Sequence, residues 1–236
     1  MHTALITGGT KGIGFGIARA IVASGGRVMI TGRHTASVTE AVKALDPSGK
    51  AANGRTADVR DRKAMDHVVA ETVKHFGALN VLVNNAGVGA FTDVASMTDE
   101  AWASIIDTNL TGVFYCTRAA IPHLKTAGGG WIINIASLAG RNYFPNGAAY
   151  CASKAGLVAF SESLMQEVRF DDIRVTVIMP GSVATDFDGP SGDKSAASWK
   201  LTPDDVGEVV MDLLRHPARS LPSKIEMRPA KTAPRH

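Results

Sequence analysis

The chain has 236 residues, enough to bury a sizeable core in one domain, and 45% of them are apolar against 20% charged, which excludes a wholly disordered chain. Its formal charge of +3 comes entirely from the segment after residue 223, so no surface for nucleic acid is expected. No apolar run approaches the roughly 18 residues needed to span a bilayer, and no membrane association is expected.

Strand and helix patterns alternate along the chain. Strands are predicted at Thr3–Thr7, Arg27–Thr31, Arg55–Val59, Leu79–Asn84, Trp131–Ala136, Arg174–Met179 and Lys224–Met227. Most are continuous apolar runs such as Val81-Leu82-Val83, the pattern of strands buried on both faces of a parallel sheet. Helices are predicted at Gly12–Ala23, Asp61–His75, Trp102–Leu124 and Ala148–Phe170. This repetition implies an α/β fold, a doubly wound three-layer sandwich around a mostly parallel seven-stranded sheet, in a single domain over residues 1–229. A mobile loop is expected over Gly189–Ser198, within a substrate loop of about 182–200, and residues 230–236 read as a basic, flexible tail. The opening residues run straight into a strand, so no secretory leader is expected. The only cysteines, Cys116 and Cys151, lack metal-ligand spacing and are expected to pack in the interior. A reducing, cytoplasmic setting is expected, and no metal site.

After the first strand comes Thr7-Gly8-Gly9-Thr10-Lys11-Gly12-Ile13-Gly14, with Gly8, Gly12 and Gly14 spaced G-x-x-x-G-x-G at the start of a helix. Glycines let backbone approach a pyrophosphate, whose charge is favoured at a helix N-terminus. A glycine-rich turn with no ligand is the bland alternative. The second strand ends Ile30-Thr31-Gly32-Arg33-His34, without the carboxylate that would bind an NAD ribose. Arg33, helped by Lys11, could instead pair with a 2′-phosphate, so NADP(H) is favoured over NAD(H). The alternative is that both cations are merely solvated.

Tyr150 and Lys154 stand four apart on one predicted helix, about 6 Å of rise between them. A nearby ammonium favours the phenolate and draws a tyrosine toward acid–base work at neutral pH. Ser137 follows a strand at the carboxyl edge of the sheet, where its hydroxyl could hold a carbonyl oxygen beside Tyr150. The Tyr–Lys spacing taken alone fits a solvated helix face equally well. Tyr143, Phe144, Phe187 and Trp199 are candidates to line a substrate pocket, with plain packing as the alternative.

Together these pieces resemble the short-chain dehydrogenase/reductase family, and in particular its NADP(H)-dependent 3-oxoacyl-ACP reductase-like members. The resemblance runs from residue 3 to about residue 229. It is carried by Thr7-Gly8-x-x-x-Gly12-x-Gly14, Asp58-Val59, Asn84-Asn85-Ala86-Gly87, Asn109, Ser137, Tyr150-x-x-x-Lys154 and Pro180-Gly181, with thirteen residues from Ser137 to Tyr150. It implies a Rossmann-type fold and reversible hydride transfer between NADP(H) and a carbonyl or secondary alcohol. Tyr150 would be the general acid in reduction. Lys154 would bind the nicotinamide ribose and lower the Tyr150 pKa, and Ser137 would hold the substrate oxygen. Asn109 would interrupt its helix and hold a water in a proton relay. The glycine turn (Gly8, Thr10, Lys11, Gly12, Ile13, Gly14) and Arg33 would hold the phosphates. Asp58 and Val59 would lie by the adenine, with Asn85, Ala86 and Gly87 along the adenosine ribose. Pro180, Gly181, Val183 and Thr185 would flank the nicotinamide and diphosphate. The resemblance further implies a homodimer or homotetramer paired through the helices around Asn109–Leu124 and Tyr150–Phe170. A ketone or 3-oxoacyl carbonyl reductase is therefore expected. The alternative from another class is a non-catalytic NADPH-binding sensor or scaffold, which would have no need of a tuned phenol.

Overall fold

The computed structural model describes residues 1–185, 187 and 198–231. Seven strands form one sheet: β1 (Thr3–Ile6), β2 (Arg27–Gly32), β3 (Ala52–Thr56), β4 (Val81–Asn84), β5 (Gly130–Ile135), β6 (Ile173–Pro180) and β7 (Lys224–Met227). Their spatial order is β3-β2-β1-β4-β5-β6-β7, and every pairing among the described residues is parallel.

The apolar runs are long because both faces of the sheet are covered. In β1, Ala4 and Ile6 face one layer while Leu5 faces the other, and Val28 and Ile30 alternate with Met29 in the same way. The first layer holds α1 (Gly12–Ala23), α2 (Thr35–Leu45) and α7 (Pro203–Arg215), through Ile17, Ile21, Ala41, Val206 and Val210. The second holds α3 (Arg62–Phe76), α5 (Gly112–Thr126) and α6 (Ala148–Val168), through Met65, Val69, Cys116, Leu124 and Leu164. Each cysteine is buried and unpaired, as expected of packing residues. Among the described residues no helix is long and apolar enough to cross a membrane, and no cluster of metal-ligating side chains occurs.

Helix ends follow local chemistry. Asp61, placed inside a helix by the sequence reading, instead caps α3, its carboxylate accepting from the amides of Lys63 and Ala64. Thr202 and Asp205 form a capping box around Pro203 at the start of α7. The predicted helix Trp102–Leu124 is broken into α4 (Asp99–Ile106), a π-helical turn (Asp107–Thr111) and α5. The predicted end at Phe170 is a separate 3₁₀ turn, Arg169–Asp171.

One strand needed correction. The sequence places the third strand at Arg55–Val59, whereas β3 occupies Ala52–Thr56, paired from Val28↔Ala52 to Gly32↔Thr56. Its partner β2 ends at Gly32, so Asp58 and Val59 run past the sheet and turn toward α3. Ala57 and Val59 are nonetheless buried against the second layer, and this burial supplied the misleading strand signal. Most of the expected mobile loop, residues 189–197, lies outside the described residues, as do residues 232–236 of the expected tail.

Candidate active site

Where the strand order reverses between β1 and β4, a cleft opens above the carboxyl ends of the strands. The cleft has a volume of about 1500 Å³ and continues along the ends of β2, β5 and β6. The turn after β1 is backbone-shaped: Gly8 has φ +64° and Gly12 has φ +56°, in the left-handed region that glycine tolerates. Gly14 does not line the cleft. A Cβ there would overlap the Asn85 amide nitrogen and the Gly8 carbonyl. That contact is structural, because Asn85 Nδ2 donates to the carbonyls of Thr7 and Gly8, each at 3.0 Å. Thr7 Oγ1 in turn accepts from the amides of Asn85 and Ala86, at 3.0 and 3.1 Å. The β1 and β4 loops are thereby laced into one floor.

Helix α1 begins with no side-chain cap and no acid in its own first turn, and its first residues, Gly12 and Ile13, line the cleft with the positive end of the helix dipole. Arg33 is exposed on the cleft wall at the end of β2. Across from it, Arg60 grips Asp58 through Nε and Nη2 at 2.6–3.1 Å. Those bonds, with the charge of Arg33 as a smaller contribution, hold the Asp58 carboxyl below its usual range. Asp58 lines the cleft, with its carboxylate already engaged by Arg60.

The three side chains that the sequence singles out for acid–base work come from two elements. Ser137 follows β5 and caps a 3₁₀ turn, Leu138–Gly140, its Oγ accepting from the Ala139 amide at 3.1 Å. Tyr150 lies in the first turn of α6, half-buried on the cleft wall. One turn further on, Lys154 is 4% exposed and donates from Nζ to the Ile135 carbonyl at 2.9 Å. Its Nζ lies 5.8 Å from the centre of the Tyr150 ring. Burial disfavours the ammonium and brings the Lys154 pKa down to about 8.

Asn109 stands behind this group and does not line the cleft. It occupies the π-helical turn, where its Oδ1 accepts from the Val88 amide at 2.8 Å and its Nδ2 donates to the Val88 carbonyl at 2.9 Å. The same Nδ2 donates to Ser153 Oγ at 3.0 Å. Between them Gly87 packs closely: a Cβ there would lie 3.3 Å from Asn109 Oδ1 and 3.6 Å from Lys154 Nζ.

The remaining sequence candidates divide. Thr10, Lys11, Ile13, Val59, Pro180, Gly181, Val183 and Thr185 all face the cleft, as do Phe144, Phe187 and Trp199. Tyr143 does not; it is 70% exposed on the outer surface. Sequence reasoning overlooked Phe91, on the loop after β4, which meets the Tyr150 ring edge-on at 5.6 Å. It also overlooked Arg228 and Lys231, which the C-terminal segment carries back to the cleft. Lys231 belongs to the stretch expected to be a free tail. A Cβ at Gly181 would lie 3.2 Å from Pro229 Cδ, a close approach that glycine permits and that seats this segment.

A dinucleotide fits these residues on three counts: the cleft volume, the turn after β1 whose Gly8 and Gly12 adopt left-handed backbone and line the cleft, and the α1 terminus without a side-chain cap facing it. Comparison with known proteins agrees. The family model described as short chain dehydrogenase matches residues 2–196. A 3-oxoacyl-[acyl-carrier-protein] reductase of Haemophilus influenzae is 38% identical over 185 residues, covering 78% of this chain and 75% of that protein. A metagenomic short-chain oxidoreductase solved in complex with NADP superposes with TM-score 0.84 at 32% identity, covering 98% of both chains. The closed form of a serine dehydrogenase complexed with NADP+ superposes with TM-score 0.86 at 34% identity, over 95% of this chain and 94% of that one.

Proposed function

This chain belongs to the short-chain dehydrogenase family, and on that premise we propose that it is an NADP(H)-dependent carbonyl reductase working through Ser137, Tyr150 and Lys154. The observation that carries the reading is the buried Lys154 ammonium, fixed by the Ile135 carbonyl beneath the Tyr150 ring.

The phosphates would rest on the turn from Gly8 to Gly14 and the α1 terminus, with Arg33 and Lys11 taking a 2′-phosphate. Asp58 and Val59 would border the adenine. Asn85, Ala86 and Gly87 would follow the adenosine ribose, while Pro180, Gly181, Val183 and Thr185 would border the nicotinamide end. When bound, NADPH supplies the hydride that adds to the carbonyl carbon and leaves as NADP+. Ser137 Oγ donates a hydrogen bond to the substrate oxygen and holds the carbonyl against Tyr150. The Tyr150 hydroxyl gives its proton to that oxygen as the C=O double bond becomes a C–O single bond. Lys154 stabilises the phenolate left behind and donates to ribose hydroxyls. Asn109 is a positioning residue, holding the Val88 backbone and Ser153 around Lys154.

The test is Tyr150→Phe. NADPH binding, followed by its fluorescence, should persist, while reduction should fall by roughly 10²–10⁴-fold, the usual worth of a general acid. Unchanged turnover in this variant would refute the assignment. Absence of turnover in the native protein, with NADPH still bound, would favour a sensor or scaffold.

A further inference from the structure

The wall of the cleft beside Tyr150 is aromatic. The Tyr150 ring meets Phe91 at 5.6 Å with planes 78° apart, and Phe187 at 5.7 Å with planes 51° apart. Phe91 meets Phe144 at 5.8 Å and 54°. These are the separations and tilts that aromatic pairs prefer. A Cβ at Gly89 would lie 2.9 Å from Phe187 Cε1 and 3.1 Å from Phe91 Cζ, so the missing side chain lets both rings converge there. Yet Phe91, Phe144 and Phe187 are still 45%, 43% and 42% exposed, and all three line the cleft. Partly uncovered rings grouped around the proton donor form a surface that gains most from an apolar, flat occupant.

Among the described residues, and apart from the buried Lys154 beneath Tyr150, the charged groups of the cleft stand away from these rings. Lys11 and Arg33 stand by the ends of β1 and β2, and Asp58 just beyond β3. Arg228 and Lys231 flank Pro229, whose ring approaches Gly181, and Arg228 is paired with Glu226 at 3.2 Å. None of these is part of the ring cluster.

We propose that the carbonyl substrate is an aryl ketone, its aromatic group attached directly to the reacting carbon and packed among Phe91, Phe144 and Phe187. This inference rests on the carbonyl reductase reading above. With the substrate oxygen at Tyr150 and Ser137, a substituent on the carbonyl carbon lies within reach of the rings that touch Tyr150. An aryl group adds edge-to-face contacts that an alkyl group of equal size lacks, a gain of roughly 2- to 10-fold per ring pair. The reaction converts the ketone to a secondary benzylic alcohol while NADPH becomes NADP+, with the proton coming from Tyr150.

The experiment compares acetophenone with cyclohexyl methyl ketone, which has the same carbon skeleton without the aromatic electrons. 4-Acetylbenzoate and a 3-oxoacyl thioester of N-acetylcysteamine complete the panel, all followed by NADPH absorbance with the full-length enzyme. Acetophenone should exceed the cyclohexyl compound in kcat/KM by about 10-fold or more. In Phe91→Leu and Phe144→Leu that ratio should fall by about 3-fold or more from its native value, a change in which the intrinsic reactivities of the two ketones cancel. Equal or reversed preference in the native enzyme, or a ratio unmoved by both substitutions, overturns the proposal, as does superior turnover of the thioester or the benzoate. Those outcomes leave the carbonyl reductase reading intact. Failure to reduce any carbonyl compound while NADPH binds would instead remove that reading and this inference with it.

Discussion

Asn109 and Ser153, forty-four residues apart in sequence, are joined by a 3.0 Å hydrogen bond between two fully buried side chains. Ser153 passes the connection on, its Oγ donating to the Tyr150 carbonyl at 2.7 Å. The π-helical turn, the loop after β4 and the first turns of α6 are thus one hydrogen-bonded unit around Lys154. Asn109→Ala removes three of these bonds and orphans the Val88 backbone. It should destabilise the protein by about 2–4 kcal/mol in urea unfolding and lower kcat. Ser153→Ala leaves Asn109 Nδ2 its bond to Val88 and should cost only about 1 kcal/mol. Equal stability of the two variants would contradict this arrangement.

Lys154 should impose a pH limit. Its pKa is lowered by burial to about 8, so the positive charge is present below that pH and lost above it. Reduction that depends on the ammonium should therefore decline as pH rises through about 8, with a one-proton slope in kcat/KM. The stability effect has the opposite sense. An unfolded lysine keeps its proton to near 10.4, so between about 8 and that value the unfolded chain binds more protons and stability from this group rises with pH. Comparing the pH dependence of Tm for the native protein and Lys154→Met isolates that contribution.

Arg33 is exposed and lies on the cleft wall. A charge-assisted bond to a 2′-phosphate is worth about 1.5–3 kcal/mol. Arg33→Ala should raise the KM for NADPH by roughly 10- to 100-fold and leave that for NADH within about 3-fold. Parallel losses for the two cofactors would show that Arg33 does not read the phosphate.

Gly14→Ala tests the floor without touching its lining. The new methyl group must displace Asn85 Nδ2 or the Gly8 carbonyl, breaking the lacing between the β1 and β4 loops. A loss of about 2–4 kcal/mol is expected from overpacking combined with broken hydrogen bonds, together with weakened NADPH binding. Retention of both would mean that the loops can part without consequence.

What could be read from the sequence is what short stretches of chain decide for themselves. Apolar runs bounded by glycines mark strands buried on both faces, and α1 is found with its predicted limits, Gly12–Ala23, because the glycine turn and its amphipathic pattern are local. The four-residue step from Tyr150 to Lys154 fixes their common helix face by geometry alone. The tertiary structure decided the rest. The register of β3 depends on where β2 ends, and Asp58 and Val59 left the sheet for that reason. Phe91 reached Tyr150 and Tyr143 turned outward because loop packing, which no periodicity encodes, orients them. The lowered pKa of Lys154 arises from its desolvation beneath the ends of β4 and β5, and desolvation is a property of the assembled interior, since segments far apart in the chain must meet before water is excluded.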